Sequence, residues 1–225
     1  MKNLMFKIVL RASIATLLLG FALNAGAQRI EFGLRFMPTL SSFDVKTSSG
    51  GTVKGEATVG FGFGAILGYN FSDHFEIQGE VIYNSLSQKY KELDIERKVK
   101  LDYVNIPLLL SLNTGKSKPI NFNVVAGPQM GINVGSSLKV SSSGVDTPNA
   151  LLSVKKGDLG FAYGAGLDFG LNPASNFRLA LGFRGVYGLF DISDNNKNNS
   201  TDSFFVLDRS HIKTYSGYIG FSVLF

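Results

Sequence analysis

Two imidazoles are present, His74 and His211, and each stands close to an acid in the chain. His74 follows Asp73, while His211 follows Ser210 and comes three residues after Asp208. A serine, a histidine and an acid are the groups that activate a hydroxyl for attack on an ester. In an extended segment, however, adjacent side chains point to opposite faces, so Ser210 and His211 would not meet. The chain has no cysteine, which excludes thiol nucleophiles, thiolate metal sites and a disulfide framework. Two distant histidines do not make a transition-metal site. No catalytic residue, metal or cofactor is therefore expected, and the chain reads as a non-enzyme. The alternative is a membrane-embedded lipid hydrolase using His211.

A second group of reactive side chains has a different spacing. Arg29, Glu31, Arg35, Glu76, Glu80, Asp168, Arg178 and Arg184 occupy positions that alternate along the chain with apolar residues. A two-residue period places them on one face of extended strands and the apolar residues on the other. Both signs are represented, and charges withdrawn from water are tolerable only when paired. The expectation is a structural ion-pair network, with Glu76 and Glu80 as partners of Arg35 and Arg184. The rows Gly60-Phe-Gly62-Phe-Gly64 and Gly164-Ala-Gly166 follow the same two-residue pattern and open no helix, so they are not phosphate loops.

The elements that position these residues are eight predicted strands: 29–37, 58–71, 74–84, 101–113, 120–134, 158–171, 176–189 and 213–225. Pro38 is expected to end the first. Three short turns, 70–73, 114–119 and 172–175, alternate with four long polar loops, 39–57, 85–100, 135–157 and 190–212. The last strand places Tyr215, Gly217, Ile219, Phe221, Val223 and Phe225 on one face, and Thr214, Ser216, Gly220 and Ser222 on the other. An even number of antiparallel strands of about ten residues, with long loops at one end and tight turns at the other, reads as an all-β fold. Specifically, it predicts an eight-stranded up-and-down transmembrane β-barrel with apolar side chains toward lipid. A barrel of this size encloses space for side chains and no open pore.

The N-terminus supports export. Lys2, Lys7 and Arg11 precede an apolar run at 14–23, and Ala25-Gly-Ala27 offers a small-residue cleavage site, so residues 1–27 read as a signal peptide and 28–225 as the barrel domain. The full chain has 22 basic and 17 acidic residues, and three of the basic ones lie in the leader. The nearly balanced remainder has no dense basic patch that would argue for nucleic acid.

Several segments resemble a known family. Gly62-Phe-Gly-Ala-Ile-Leu-Gly-Tyr69, Gln78-Gly-Glu80, Tyr103-Val-Asn-Ile-Pro-Leu108 and Arg184-Gly-Val-Tyr-Gly-Leu189 are similar to the PorT-like outer-membrane barrel domain of Bacteroidetes, across essentially the whole mature chain. Asn105 stands where that family commonly has an acid. The end of the chain, with Tyr215, Phe221 and Phe225, resembles the signal that barrel-assembly machinery reads in Gram-negative outer-membrane proteins. These resemblances imply an integral protein of the bacterial outer membrane, in contact with its lipid and, during biogenesis, with the assembly machinery. They also imply a supporting role in secretion or envelope integrity. The loops 85–100 and 190–212 are the expected sites for a protein or polysaccharide partner.

Overall fold

The computed structural model describes residues 30–42, 45–46, 52–53, 56–92, 95–142, 145–150, 152–192, 205–206 and 211–225. The expected leader, 1–27, lies outside these residues. Eight long strands form a closed sheet: β1 (Ile30–Ser42), β2 (Val59–Asn70), β3 (Phe75–Glu92), β4 (Ile95–Asn113), β5 (Ile120–Ser142), β6 (Gly157–Gly170), β7 (Phe177–Gly188) and β8 (Lys213–Leu224). Each pairs antiparallel with its neighbours in chain order, and β8 returns to β1. The closure runs from Glu31 opposite Leu224 to Ser42 opposite Lys213. The Phe225 amide donates to the Ile30 carbonyl at 2.8 Å, fastening the two ends together.

Pro38 does not end β1. The strand runs on to Ser42, and its pairing with β2 continues through Pro38 opposite Phe61. On the β8 side the register has no pairs at Met37 and Pro38 and resumes at Thr39 opposite Ser216. A proline has no N–H to give a ladder, so β1 keeps one neighbour there and loses the other.

Two expected loops are strands instead. The charged segment 85–100 continues β3 and β4 upward as a hairpin in register to Glu92 opposite Ile95. Likewise, much of 135–157 is strand: β5 extends to Ser142, and Val145–Ala150 folds back along it. Strands of 18, 19 and 23 residues are about twice what a bilayer requires, so β3, β4 and β5 rise well beyond it as a three-stranded wall. The short turns fall at the opposite end, as expected.

Polarity inverts along this wall. In the lower part the outer face carries Phe75, Ile77, Val81, Leu108, Leu110, Phe122 and Val124, all exposed, while Glu76, Gln78 and Glu80 are buried inside. In the upper part Lys98, Lys100 and Lys139 are outside. Leu86, Tyr90, Val99, Leu101, Tyr103 and Leu138 are inside, packed with Ile192 and Ile212. The lower part therefore has the polarity of a protein in lipid, and the upper part that of a protein in water. A β-bulge supports the change: the β4–β5 register shifts between Asp102 and Tyr103, which face Gly135 and Asn133. One extra residue on β5 flips the facing of everything above it, so that Leu138 turns inward and Lys139 outward.

Candidate functional site

The lower lumen holds two charged clusters. In the first, the Glu80 carboxylate on β3 accepts from Arg35 of β1 at 2.7 Å and from Arg184 of β7 at 3.0 Å. Gln78 also donates to it. The Arg35 guanidinium lies 4.1 Å from the centre of the Tyr218 ring, which gives that cation a π face as well as an anion. The glycines make this fit possible: a Cβ at Gly182 would come within 2.5 Å of the Tyr218 ring.

The second cluster has a residue that strand patterning does not find. Lys116, in the turn between β4 and β5, folds its side chain up into the barrel. Its amine lies 2.5 Å from Glu31, 3.1 Å from Glu76 and 3.7 Å from Asp168, which belong to three different strands. Asn121 and Asn123 each donate to the Asp168 carboxylate, at 2.9 and 3.1 Å. The signal that could have found Lys116 is one of charge balance. Three inward acids near the turns require a cation, and Lys116 is within reach.

The expected pairing thus holds for Glu80 and needs correction for Glu76, whose cation is Lys116 and not an arginine. Arg178 also departs from expectation. Its guanidinium donates to backbone carbonyls of Lys116 (2.8 Å), Ser175 (3.0 Å), Lys118 (3.2 Å) and Asp168 (3.2 Å), tying two turns together at the barrel floor. Five donors in a rigid fork suit guanidinium to this bracing. Arg29 lies outside the described residues. Between the two clusters, a cavity of about 10 Å³ bordered by Arg35, Lys116 and Asp168 has room for one water.

The histidines are far apart in the fold. His74 is in the turn between β2 and β3, beside Asp73, whose carboxylate accepts from the Ser117 amide (2.7 Å) and hydroxyl (3.0 Å). His211 is exposed just before β8 and is close enough to Asp158 to act on it electrostatically. Ser210 and Asp208 lie outside the described residues, as does most of 190–212. Three of the four aromatic residues of the closing segment point outward, with Tyr215 44%, Phe221 58% and Phe225 70% exposed, while Tyr218 points into the lumen.

Comparison with solved structures finds the same architecture. The outer membrane protein OprG from Pseudomonas aeruginosa is 17% identical with a TM-score of 0.56, and the alignment covers 89% of this chain and 98% of that one. Neisserial surface protein A (NspA) is also 17% identical, with a TM-score of 0.44 over 86% of this chain and 97% of that one. The outer membrane enzyme PagL is 12% identical with a TM-score of 0.33, over 83% of this chain and 99% of that one. Of the three, the OprG likeness shows a shared fold, and the other two carry no argument about fold or function. No curated protein sequence matches the chain. A family model does match it, over residues 19–194, and its description is an outer membrane protein beta-barrel domain. With a closed eight-stranded barrel, an apolar outer belt and that match, the chain belongs to the outer membrane protein β-barrel domain family and is a protein of the bacterial outer membrane.

Proposed function

We propose that the chain is a non-enzymatic outer-membrane barrel of the PorT-like type, which works through its surface above the membrane and not through its lumen. The observation that carries this reading is the packing of the interior at both levels. Two ion clusters fill the lower lumen and an apolar cluster fills the upper one. An interior so occupied offers little to a solute, whereas the wall formed by β3, β4 and β5 offers a rigid platform to a protein or polysaccharide partner. A role in secretion or envelope integrity follows from the resemblance of the motif segments to PorT-like domains. Tyr215, Phe221 and Phe225 act as the assembly signal in this reading, since all three are outward and reachable during insertion.

The experiment is crosslinking in intact cells, followed by identification of what co-purifies with the wild-type chain and with a chain lacking the hairpin tip at 87–98. A partner lost with the tip is expected. The same partners recovered from both chains would overturn the platform. The hydrolase alternative has one favourable observation, the nearness of His211 to Asp158 at the rim. Lipid analysis of a His211→Ala strain separates the two: altered acylation of outer-membrane lipid would support the enzyme, and unchanged lipid the non-enzymatic barrel.

A further inference from the structure

On the outer face of the wall, Lys98 of β4 stands directly opposite Lys89 of β3 and Lys139 of β5. One step nearer the membrane, Lys100 lies between Ser87 and Ser137. Directly opposed residues in a sheet have their Cβ atoms about 5 Å apart, and like charges so placed repel. Asp102 compensates this repulsion only in part. Asp102 is 3.4 Å from Lys100, and Glu56 is opposite Lys89 in register. Among the described residues neither Lys98 nor Lys139 has an ion-pair partner.

The arrangement is also built. Without the bulge on β5, Lys139 would point into the barrel and Leu138 out of it, so the fold spends a strand irregularity on completing this cationic row. Its height is informative as well. Tyr83, Val104 and Ile132 lie in register at the upper edge of the apolar belt. Lys100 and Lys98 follow Val104 up β4 by four and six residues, which places them roughly 10 and 15 Å above that edge for a tilted strand. Lysine stems reach back several ångströms toward the membrane. This is the level of the phosphorylated saccharide headgroups of the outer leaflet.

We propose that Lys98, Lys100 and Lys139 form a binding site for the phosphate groups of the phosphorylated glycolipid in the outer leaflet. Three ammonium groups on a rigid sheet supply the charge, and Ser137 stands beside Lys100 in register. The bound anion relieves the repulsion along the row. The proposal rests on the membrane placement alone, and the partner-binding reading above can fail without affecting it.

The test uses the full mature chain folded in phosphatidylcholine vesicles that contain a small share of either diphosphoryl lipid A or its dephosphorylated form. The protein is extracted in mild detergent and the retained glycolipid is counted by mass spectrometry. The triple variant Lys98→Gln/Lys100→Gln/Lys139→Gln should retain on the order of 100-fold less diphosphoryl lipid A than wild type, and Lys139→Gln alone about 5-fold less. The triple Lys→Arg variant should retain it as wild type does. Dephosphorylated lipid A should be held no better by wild type than by the Gln variant. Folding of each variant is checked by its heat-modifiable migration, and the single variant decides if the triple one does not fold. Equal retention by wild type and Gln variants would overturn the proposal. So would equal retention of both lipids, or release of lipid A by millimolar inorganic phosphate, which would mark a site for a free anion.

Discussion

Strand β4 crosses the polarity inversion, and three substitutions along it measure where the membrane ends. Leu108 is 56% exposed on the outer face, with Leu110 and Leu112 below it and Ile106 and Val104 above. Four residues separate it from either end of that apolar row, which puts it about 10 Å from each edge of the belt, near mid-membrane. Leu108→Lys should therefore carry the full mid-membrane cost of roughly 2–4 kcal/mol. Lys100 is on the same face, eight residues higher, with its side chain 48% exposed. In water such a position is permissive, so Lys100→Leu should change stability by no more than about 0.5 kcal/mol. Leu101, next to it, points inward and is 0% exposed within the upper apolar cluster, so Leu101→Ala should cost roughly 2–5 kcal/mol. The assay is reversible urea unfolding in short-chain phosphatidylcholine vesicles. Because the chain has no tryptophan, circular dichroism serves as the probe. If Leu108→Lys were as harmless as Lys100→Leu, or Leu101→Ala cost nothing, the inversion would be misplaced and the upper wall would not be a water-side structure.

Three other outcomes follow from the lumen and turns. Lys116→Met leaves Glu31, Glu76 and Asp168 without their shared cation and should cost about 3–5 kcal/mol in the same assay; a loss below about 1 kcal/mol would show that the amine does not occupy the lumen. Glu80→Gln should destabilise by a similar amount, and Arg184→Leu in that background should cost less than Arg184→Leu alone, because the two act on one cluster; strict additivity would contradict the shared carboxylate. In the Asp73 turn, slight burial raises the carboxyl, but the two hydrogen bonds from Ser117 outweigh it and hold Asp73 below its ordinary value. A carboxylate lowered by folding stabilises above its unfolded pKa of about 3.9, and this contribution disappears as pH falls through the lower folded value. NMR titration should thus show Asp73 more fully ionised in the folded chain than a free aspartate at the same acidic pH, and a normal titration would remove the turn contact.

Much of the barrel was legible because period-two alternation is unbroken where one face meets lipid. Phe177, Leu179, Leu181 and Phe183 on β7, and Ile219, Phe221 and Val223 on β8, fix both facing and register. The wall was not legible for the same physical reason in reverse. Once β3 and β4 leave the membrane, Lys89, Lys98 and Lys100 take the outward positions, and the segment has the composition of a solvated loop. The period persists in Val99-x-Leu101-x-Tyr103, but with its phase exchanged between the faces. Pro38 misled because a proline blocks one hydrogen-bonded neighbour, and β1 needed to give up only one. The lumen network was legible to the extent that strands hold it. Glu80 with Arg35 and Arg184 followed from facing, whereas Lys116 sits in a turn, where no periodicity dictates the direction of a side chain.

The exchange of faces along β3, β4 and β5 also divides the molecule thermodynamically. The upper cluster of Leu86, Val99, Leu101 and Leu138 is held together by exclusion from water, a force that weakens on cooling and carries a large heat-capacity change. The belt below gains nothing from that force, since lipid tails are as apolar as the side chains that meet them. Backbone pairing and charge clusters hold that part, and neither depends on water in the same way. One continuous set of strands therefore carries two temperature dependences, and cold should loosen the wall above the membrane while the ring within it stays closed.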